Sequence, residues 1–339
     1  MEIFGYLGLL GSVALLIWMA LRGVEIMFAA ILSSLFVIIS NTMPLADSLV
    51  NGFAGGPLGA FTFAGKFFFL FAAGAIFGRA MGDSGAAASI AMALVKKLGA
   101  DRALVITTLA CAALTYGGVV VFVVIFAVYP LGLQLLKEAD IPKRLFCAAL
   151  ALGAGTFTLT ALPGTPSIHN AISASALGTS LTAAPLLSFL AAAVMVSLGL
   201  WYLEHQRAIA KAAGEGFVPG PRDVIQDSSD ANLPPWQAAV FPLIVVIGLI
   251  VLPRLISPES GSLADLMQFA ASQPIMWPSI SLAMGTMLCL GLFSNIRKTG
   301  FTTLGNGTND SLMPMLNSAA IIGYGGVVVQ TAGFQQFGD

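Results

Sequence analysis

The chain is 339 residues long, 57% hydrophobic and only 9% charged, with a net charge of −1 and a mean hydropathy of +0.91. Soluble domains carry about 25% charged residues, so the composition excludes an ordinary soluble fold and predicts an all-α polytopic membrane protein. No basic patch points to nucleic acid, and Cys111, Cys147 and Cys289 lie in apolar runs at no metal-like spacing, so no disulfide framework, metal or cofactor is expected.

Residues 3–21 are apolar, with no basic flank before them and no small-x-small cleavage site. They read as a retained first span rather than a signal peptide. Runs at 24–40 and 58–79 follow, each within or near the roughly 17–25 residues that cross a bilayer. Gly74, Gly78 and Gly82 make one smooth face, which predicts close packing within the protomer and leaves homo-oligomerisation open. Arg79 and Asp83 stand four residues apart at the end of this run. A surface ion pair is one reading of them and proton coupling by Asp83 is the other. Residues 84–98 alternate small apolar side chains and end in Lys96-Lys97, which predicts a helix lying along the interface.

Residues 103–136 would measure roughly 50 Å as one helix, too long for a hydrocarbon core of about 30 Å. Thr115-Tyr116-Gly117-Gly118 interrupts the run and Pro130 follows, so the segment reads as a re-entrant hairpin with its tip near residues 115–118. The next run, 143–179, contains TFTLTALPGTPSIHN at positions 156–170. Pro163 and Pro166 lack amide donors and clash with the preceding turn, and Gly164 loosens the backbone between them. Broken backbone at membrane depth is tolerated only where protein buries it or it lines a water-filled cavity.

Thr158, Thr160, Gly164, Thr165, Ser167 and Asn170, with Thr115, Tyr116, Gly117 and Gly118 from the hairpin, therefore read as a substrate site. Freed amides and helix N-termini attract a carboxylate, while hydroxyls and Asn170 suit a substrate's own hydroxyls. The alternative is a loop that merely caps two membrane helices. His169 is a second proton-carrier candidate beside Asp83, and a simply hydrogen-bonded histidine is its alternative.

A span at 185–203 precedes a charged, Gly- and Pro-rich stretch at 204–235 that reads as a cytoplasmic linker. Spans at 236–256, 274–293 and 311–330 complete the chain. Lysine and arginine bias puts the segments 79–102, 137–144, 204–235 and 295–298 in the cytoplasm, which requires 103–136 to enter and leave on one side. YGGVVV occurs at 116–121 and again at 324–329. Pairing the spans in order is a better alignment, with 3–21, 24–40 and 58–79 matching the last three in opposite orientation. On that inverted-repeat reading, residues 1–203 are the first repeat. Residues 236–339 are then scaffold spans of a second repeat that stops before its hairpin, and the chain reads as a fragment.

Three motifs carry a resemblance to a known family. They are Gly78-Arg79-Ala80-Met81-Gly82-Asp83-Ser84-Gly85-Ala86-Ala87, Thr115-Tyr116-Gly117-Gly118, and Thr158 to Pro166 followed by His169-Asn170-Ala171-Ile172. With them the whole chain resembles the gluconate:proton symporter (gluconate permease) family of the ion-transporter superfamily. The resemblance implies a scaffold, and a transport domain of two hairpins and two broken helices. It also implies no enzyme activity, and proton-coupled uptake of gluconate or a similar small hydroxy or carboxylic acid across the cytoplasmic (inner) membrane. D-serine or a ketone-body acid is the alternative substrate within the family. Family chains usually run longer, in line with a fragment, and His169 stands where the family more often has an amide. The rival of another class is a rhomboid-like intramembrane serine protease, on the pattern Gly82-Asp83-Ser84-Gly85-Ala86 with His169 as base. So short a run of small residues recurs by chance, and the charge bias puts Ser84 at the cytoplasmic edge rather than in a wet cavity.

Overall fold

Long apolar runs with short polar breaks can satisfy their backbone in lipid only as helices, and helices are what form. A computed structural model describes residues 2–116, 121–163, 165, 179, 183–220, 223, 233–255, 262–273 and 275–338, and no strand occurs among the described residues. The first elements are α1 (Glu2–Leu21), α2 (Ile26–Ser40), α3 (Leu45–Asp47), a π-helical segment (Ser48–Ala54), α4 (Ala60–Asp83) and α5 (Ala86–Leu98). A 3-10 turn (Ala100–Arg102) leads into α6 (Ala103–Tyr116), α7 (Val121–Ala139), α8 (Lys143–Gly155), α9 (Phe157–Thr160) and α10 (Pro185–Ala212). The remainder is α11 (Trp236–Leu255), α12 (Ser262–Ser272), α13 (Met276–Leu292), α14 (Ser294–Arg297), α15 (Gly300–Val329) and α16 (Ala332–Gly338). Helices α4, α10 and α15 are long and apolar enough to cross a membrane, and shorter apolar helices accompany them.

The chain divides into two compact units, one of Met1–Phe71 with Asp310–Asp339 and one of Ala72–Asn309. In the first, Glu25 caps α2, its carboxylate accepting from Met27 N at 2.9 Å and Phe28 N at 3.2 Å. Ala29, Ala30, Ser33, Ser34, Val37 and Ile38 form the buried face of α2 at helical spacing. Ala30 packs with Leu9 of α1 and with Ala320, Tyr324 and Val328 of α15. Inside this contact the Tyr324 hydroxyl and Ser12 Oγ share a 2.8 Å hydrogen bond. The second YGGVVV copy thus lies in unbroken helix. Its Gly326 is a packing glycine, since a Cβ there would stand 2.7 Å from Gly52 O and 2.8 Å from Leu58 O.

In the second unit, α6 and α7 pack against each other and α6 packs most extensively on α8. The 14 residues of α6 span only about 21 Å, short of the roughly 30 Å core. Gly153 sets the α6–α8 approach, because a Cβ there would lie 2.3 Å from Thr108 O. Thr108 Oγ1 bridges the same seam, donating to Ala149 O at 3.2 Å.

Helix α5 is well packed over its first half, where Ala86, Ala87, Ala88 and Ile90 are buried, and it lies against α7 and α11. Small side chains permit that close approach, and a binary hydropathy reading does not weigh it. Lys96 and Lys97 remain exposed, with Lys97 Nζ 4.4 Å from the centre of the Trp236 ring.

Helix α10 runs nine residues beyond the predicted span end at Leu203. Arg207 near its end donates to Asp101 at 2.7 Å. That hydrogen bond, and then the guanidinium charge, hold the Asp101 carboxyl below its usual range. Helix α12 occupies a connection that the sequence reading left unassigned, and α15 begins at Gly300, well before the expected residue 311.

Candidate functional site: the hairpin end and the helix break

The break in the 143–179 run begins earlier than its prolines. Helix α8 stops because Thr156 leaves the helical region, with φ −120° and ψ −104°, and the chain resumes as the single turn α9. Leaving the helix removes amide donors from the last carbonyls of α8, and two hydroxyls replace them. Thr156 Oγ1 donates to Leu152 O at 2.6 Å and Thr158 Oγ1 donates to Gly153 O at 2.7 Å. Thr158 is fully buried. Thr160 Oγ1, which is exposed, donates to Thr156 O at 3.0 Å, and Thr165 Oγ1 donates to Leu162 O at 3.1 Å.

The hydroxyls of Thr156, Thr158, Thr160 and Thr165 thus each donate to a nearby backbone carbonyl, their lone pairs being left to accept. Thr158→Val should leave Gly153 O without its donor at a buried site, a loss of about 1–3 kcal/mol. Thermal melting of the purified protein in detergent checks this, with a lower midpoint expected.

The end of α6 and the break come together. Tyr116 OH, at the last residue of α6, donates to Pro163 O at 3.3 Å. Beside it Thr115 is 2% exposed, and its Oγ1 has no hydrogen-bond partner among the described residues. An apolar floor underlies the pair, formed by Ala112, Phe157 and Ala192 with Leu152, Ala161 and Leu162. Here α6, α9 and α10 pack on one another, and the end of α6 brings the Thr115 hydroxyl and the Tyr116–Pro163 tie to the break. Gly117, Gly118, Gly164, Ser167, His169 and Asn170 lie outside the described residues. Among the described residues no group of His, Cys, Asp or Glu is placed to hold a metal ion.

The chain matches the profile of the GntP family permeases over residues 6–334. It belongs to the GntP permease family. Over 354 aligned positions it is 33% identical to an uncharacterized transporter, YxjC, of Bacillus subtilis (strain 168), covering 96% of this chain and 73% of that relative. No solved structure matches it. Apolar spans and family membership together make this GntP permease a multi-pass membrane transport protein.

Two further residues of the permease bear on the sequence reading. Asp83 pairs with Arg79 at 3.1 Å and accepts from Thr303 Oγ1 of α15 at 2.9 Å, so it ties α4 to α15 as well as making the i,i+4 pair. Ser84 is buried and serves the turn into α5, its Oγ donating to Met81 O at 3.2 Å and accepting from Ala86 N at 3.4 Å. That is a capping arrangement.

Sequence reasoning missed Gln134. It is 1% exposed in α7, and neither Nε2 nor Oε1 has a partner among the described residues. A lone amide within the apolar run Leu131 to Leu136 was the available signal. Burying an unpaired amide costs about 1–3 kcal/mol, so Gln134→Met, of similar length, is expected to raise the melting midpoint of the permease. A lowered midpoint would show that the amide has a partner after all.

Proposed function

We propose that this permease carries a small hydroxy or carboxylic acid, gluconate or a near analogue, across the cytoplasmic membrane together with a proton. The observation that carries the reading is the buried, unpartnered Thr115 hydroxyl beside the Tyr116–Pro163 tie. A buried hydroxyl left open is costly in a finished core, and it suits a polyhydroxylated ligand that arrives and leaves. Freed backbone around the break supplies amide dipoles for a carboxylate without a basic side chain. Membership of a permease family and the motifs shared with gluconate permeases support the same reading.

In this scheme Thr115, Tyr116, Gly117 and Gly118 contact substrate from the hairpin side. Thr158, Thr160, Gly164, Thr165, Ser167 and Asn170 contact it from the break, and His169 or Asp83 handles the proton. The test is uptake of labelled gluconate into proteoliposomes, with and without an inward proton gradient, competed by D-serine, a ketone-body acid and other small acids. Saturable, gradient-stimulated gluconate uptake is the expected result. Saturable uptake of D-serine or the ketone-body acid with no competition by gluconate would replace the substrate, and uptake indifferent to the gradient would remove the proton.

A further inference from the structure

The chain beyond α10 is not a loose connection. Gly214, at φ +71°, turns it out of the helix, with Gly214 N donating to Lys211 O and Glu215 N to Ala210 O. Residues 213–220 and Asp223 then lie against the corner between α7 and α8. Arg144 donates to Glu215 Oε2 through Nη2 at 2.8 Å and Nε at 3.0 Å. Phe217 N donates to Asp140 Oδ1 at 2.9 Å, and its ring packs on the cluster of Leu135, Leu136, Ile141, Leu145, Leu203 and Ala210. Asp140 sits at φ +49°, a left-handed conformation that aspartate tolerates better than most residues.

At the far end Asp223, with a side chain only 6% exposed, collects three donors. These are Lys143 Nζ at 2.6 Å, Gly220 N at 2.6 Å and Tyr129 OH at 3.0 Å. Three elements thus meet on one carboxylate, namely the middle of α7, the start of α8 and the segment after α10. Charge-assisted hydrogen bonds are the stronger kind, and a buried pair is costly to leave half-made.

We infer that residues 213–220 and Asp223 form a strap that clamps the α7–α8 corner to α10, with Asp223 and Lys143 as positioning residues for transport. The reasoning is geometric. Helix α8 runs from the corner to the break, and α6, which packs on both α7 and α8, ends at Tyr116, so the angle between α7 and α8 bears on how Tyr116 and Pro163 meet. Tyr116–Pro163 joins α6 to the break, and the strap joins α7 and α8 at the corner. With the strap closed, α6, α7, α8 and α10 move as one piece. With it open, the hairpin and the break can part and the conformational step slows. The contacts of the strap do not depend on which solute is carried.

Asp223→Asn keeps the side chain's shape and removes its charge. Hydrogen exchange of peptides covering residues 136–147 should quicken on the order of tenfold, equivalent to about 1.4 kcal/mol of lost protection. Labelled-gluconate uptake should show a lowered Vmax with KM little changed. The swap Lys143→Asp with Asp223→Lys should restore both. Phe217→Ala, which removes only the apolar anchor, should reproduce the pattern and guards against a single variant that does not fold.

A disulfide across the strap, Arg144→Cys with Glu215→Cys in a Cys147→Ser background, should leave uptake equal in oxidised and reduced vesicles, because the clamp stays closed throughout. Wild-type exchange in Asp223→Asn and Phe217→Ala would overturn the inference. So would faster exchange with unaltered Vmax, or uptake that stops on oxidation and returns on reduction. If the parent protein takes up no gluconate, the substrate reading fails while the exchange measurements still decide the strap.

Discussion

Gly153→Ala is expected to give the largest loss of stability of any conservative change in the second unit. The added Cβ would lie 2.3 Å from Thr108 O and 2.8 Å from Cys111 Cβ, and the first of these is backbone that cannot rotate away. Overpacking of a dense core costs about 1–3 kcal/mol, occasionally more. Here the upper end applies, because moving α8 off α6 also strains the 3.2 Å Thr108–Ala149 bond. It further disturbs the carbonyl of Gly153, which receives the Thr158 hydroxyl. The measurement is a thermal melt in detergent, with yield of monodisperse protein as a second readout. A midpoint within a degree or so of the parent's would mean that the seam is looser than these distances state.

The largest effect on transport is expected from Thr115→Val, and its value lies in what it should leave alone. Thr115 Oγ1 has no partner among the described residues, so removing it breaks no hydrogen bond among them. Valine is nearly isosteric, and stability should hold or rise slightly. If the hydroxyl meets substrate, its loss leaves a substrate group unpaired, worth about 1–3 kcal/mol, or roughly a 5- to 150-fold fall in uptake efficiency. Stability kept and transport lost is the expected pair of results. Wild-type uptake kinetics would remove Thr115 from the site. Tyr116→Phe makes the complementary measurement, since it breaks the bond to Pro163 O while sparing the ring.

Apolar run length made most of the helices legible in the sequence, because in lipid each span must close its own hydrogen bonds. Thr115-Tyr116-Gly117-Gly118 marked in the sequence where α6 ends, at Tyr116. YGGVVV at 324–329 lies within continuous helix, so the motif does not by itself end a helix. The break was legible through Pro163 and Pro166 but not its start at Thr156, since threonine breaks no helix by type. Its hydroxyl merely makes the exit affordable by bonding Leu152 O. Nothing local announced the partnership of Asp223 with Lys143 and Tyr129, 80 and 94 residues away.

Helix α10 has 28 residues, about 42 Å at 1.5 Å per residue, and only 11% of its most apolar window is buried in protein. Its flanks, among them Leu186, Leu187, Leu190, Leu198 and Trp201, face surroundings that must be hydrocarbon. A core of about 30 Å leaves roughly two turns standing beyond it, and the polar residues Glu204, Arg207 and Lys211 occupy that overhang. How far the overhang protrudes depends on bilayer thickness and helix tilt, each ångström of mismatch being resisted by a fraction of a kcal/mol. Glu215, Phe217 and Asp223 hang from that end. Bilayer thickness thus bears on where the end of α10 that carries these three residues stands relative to the membrane.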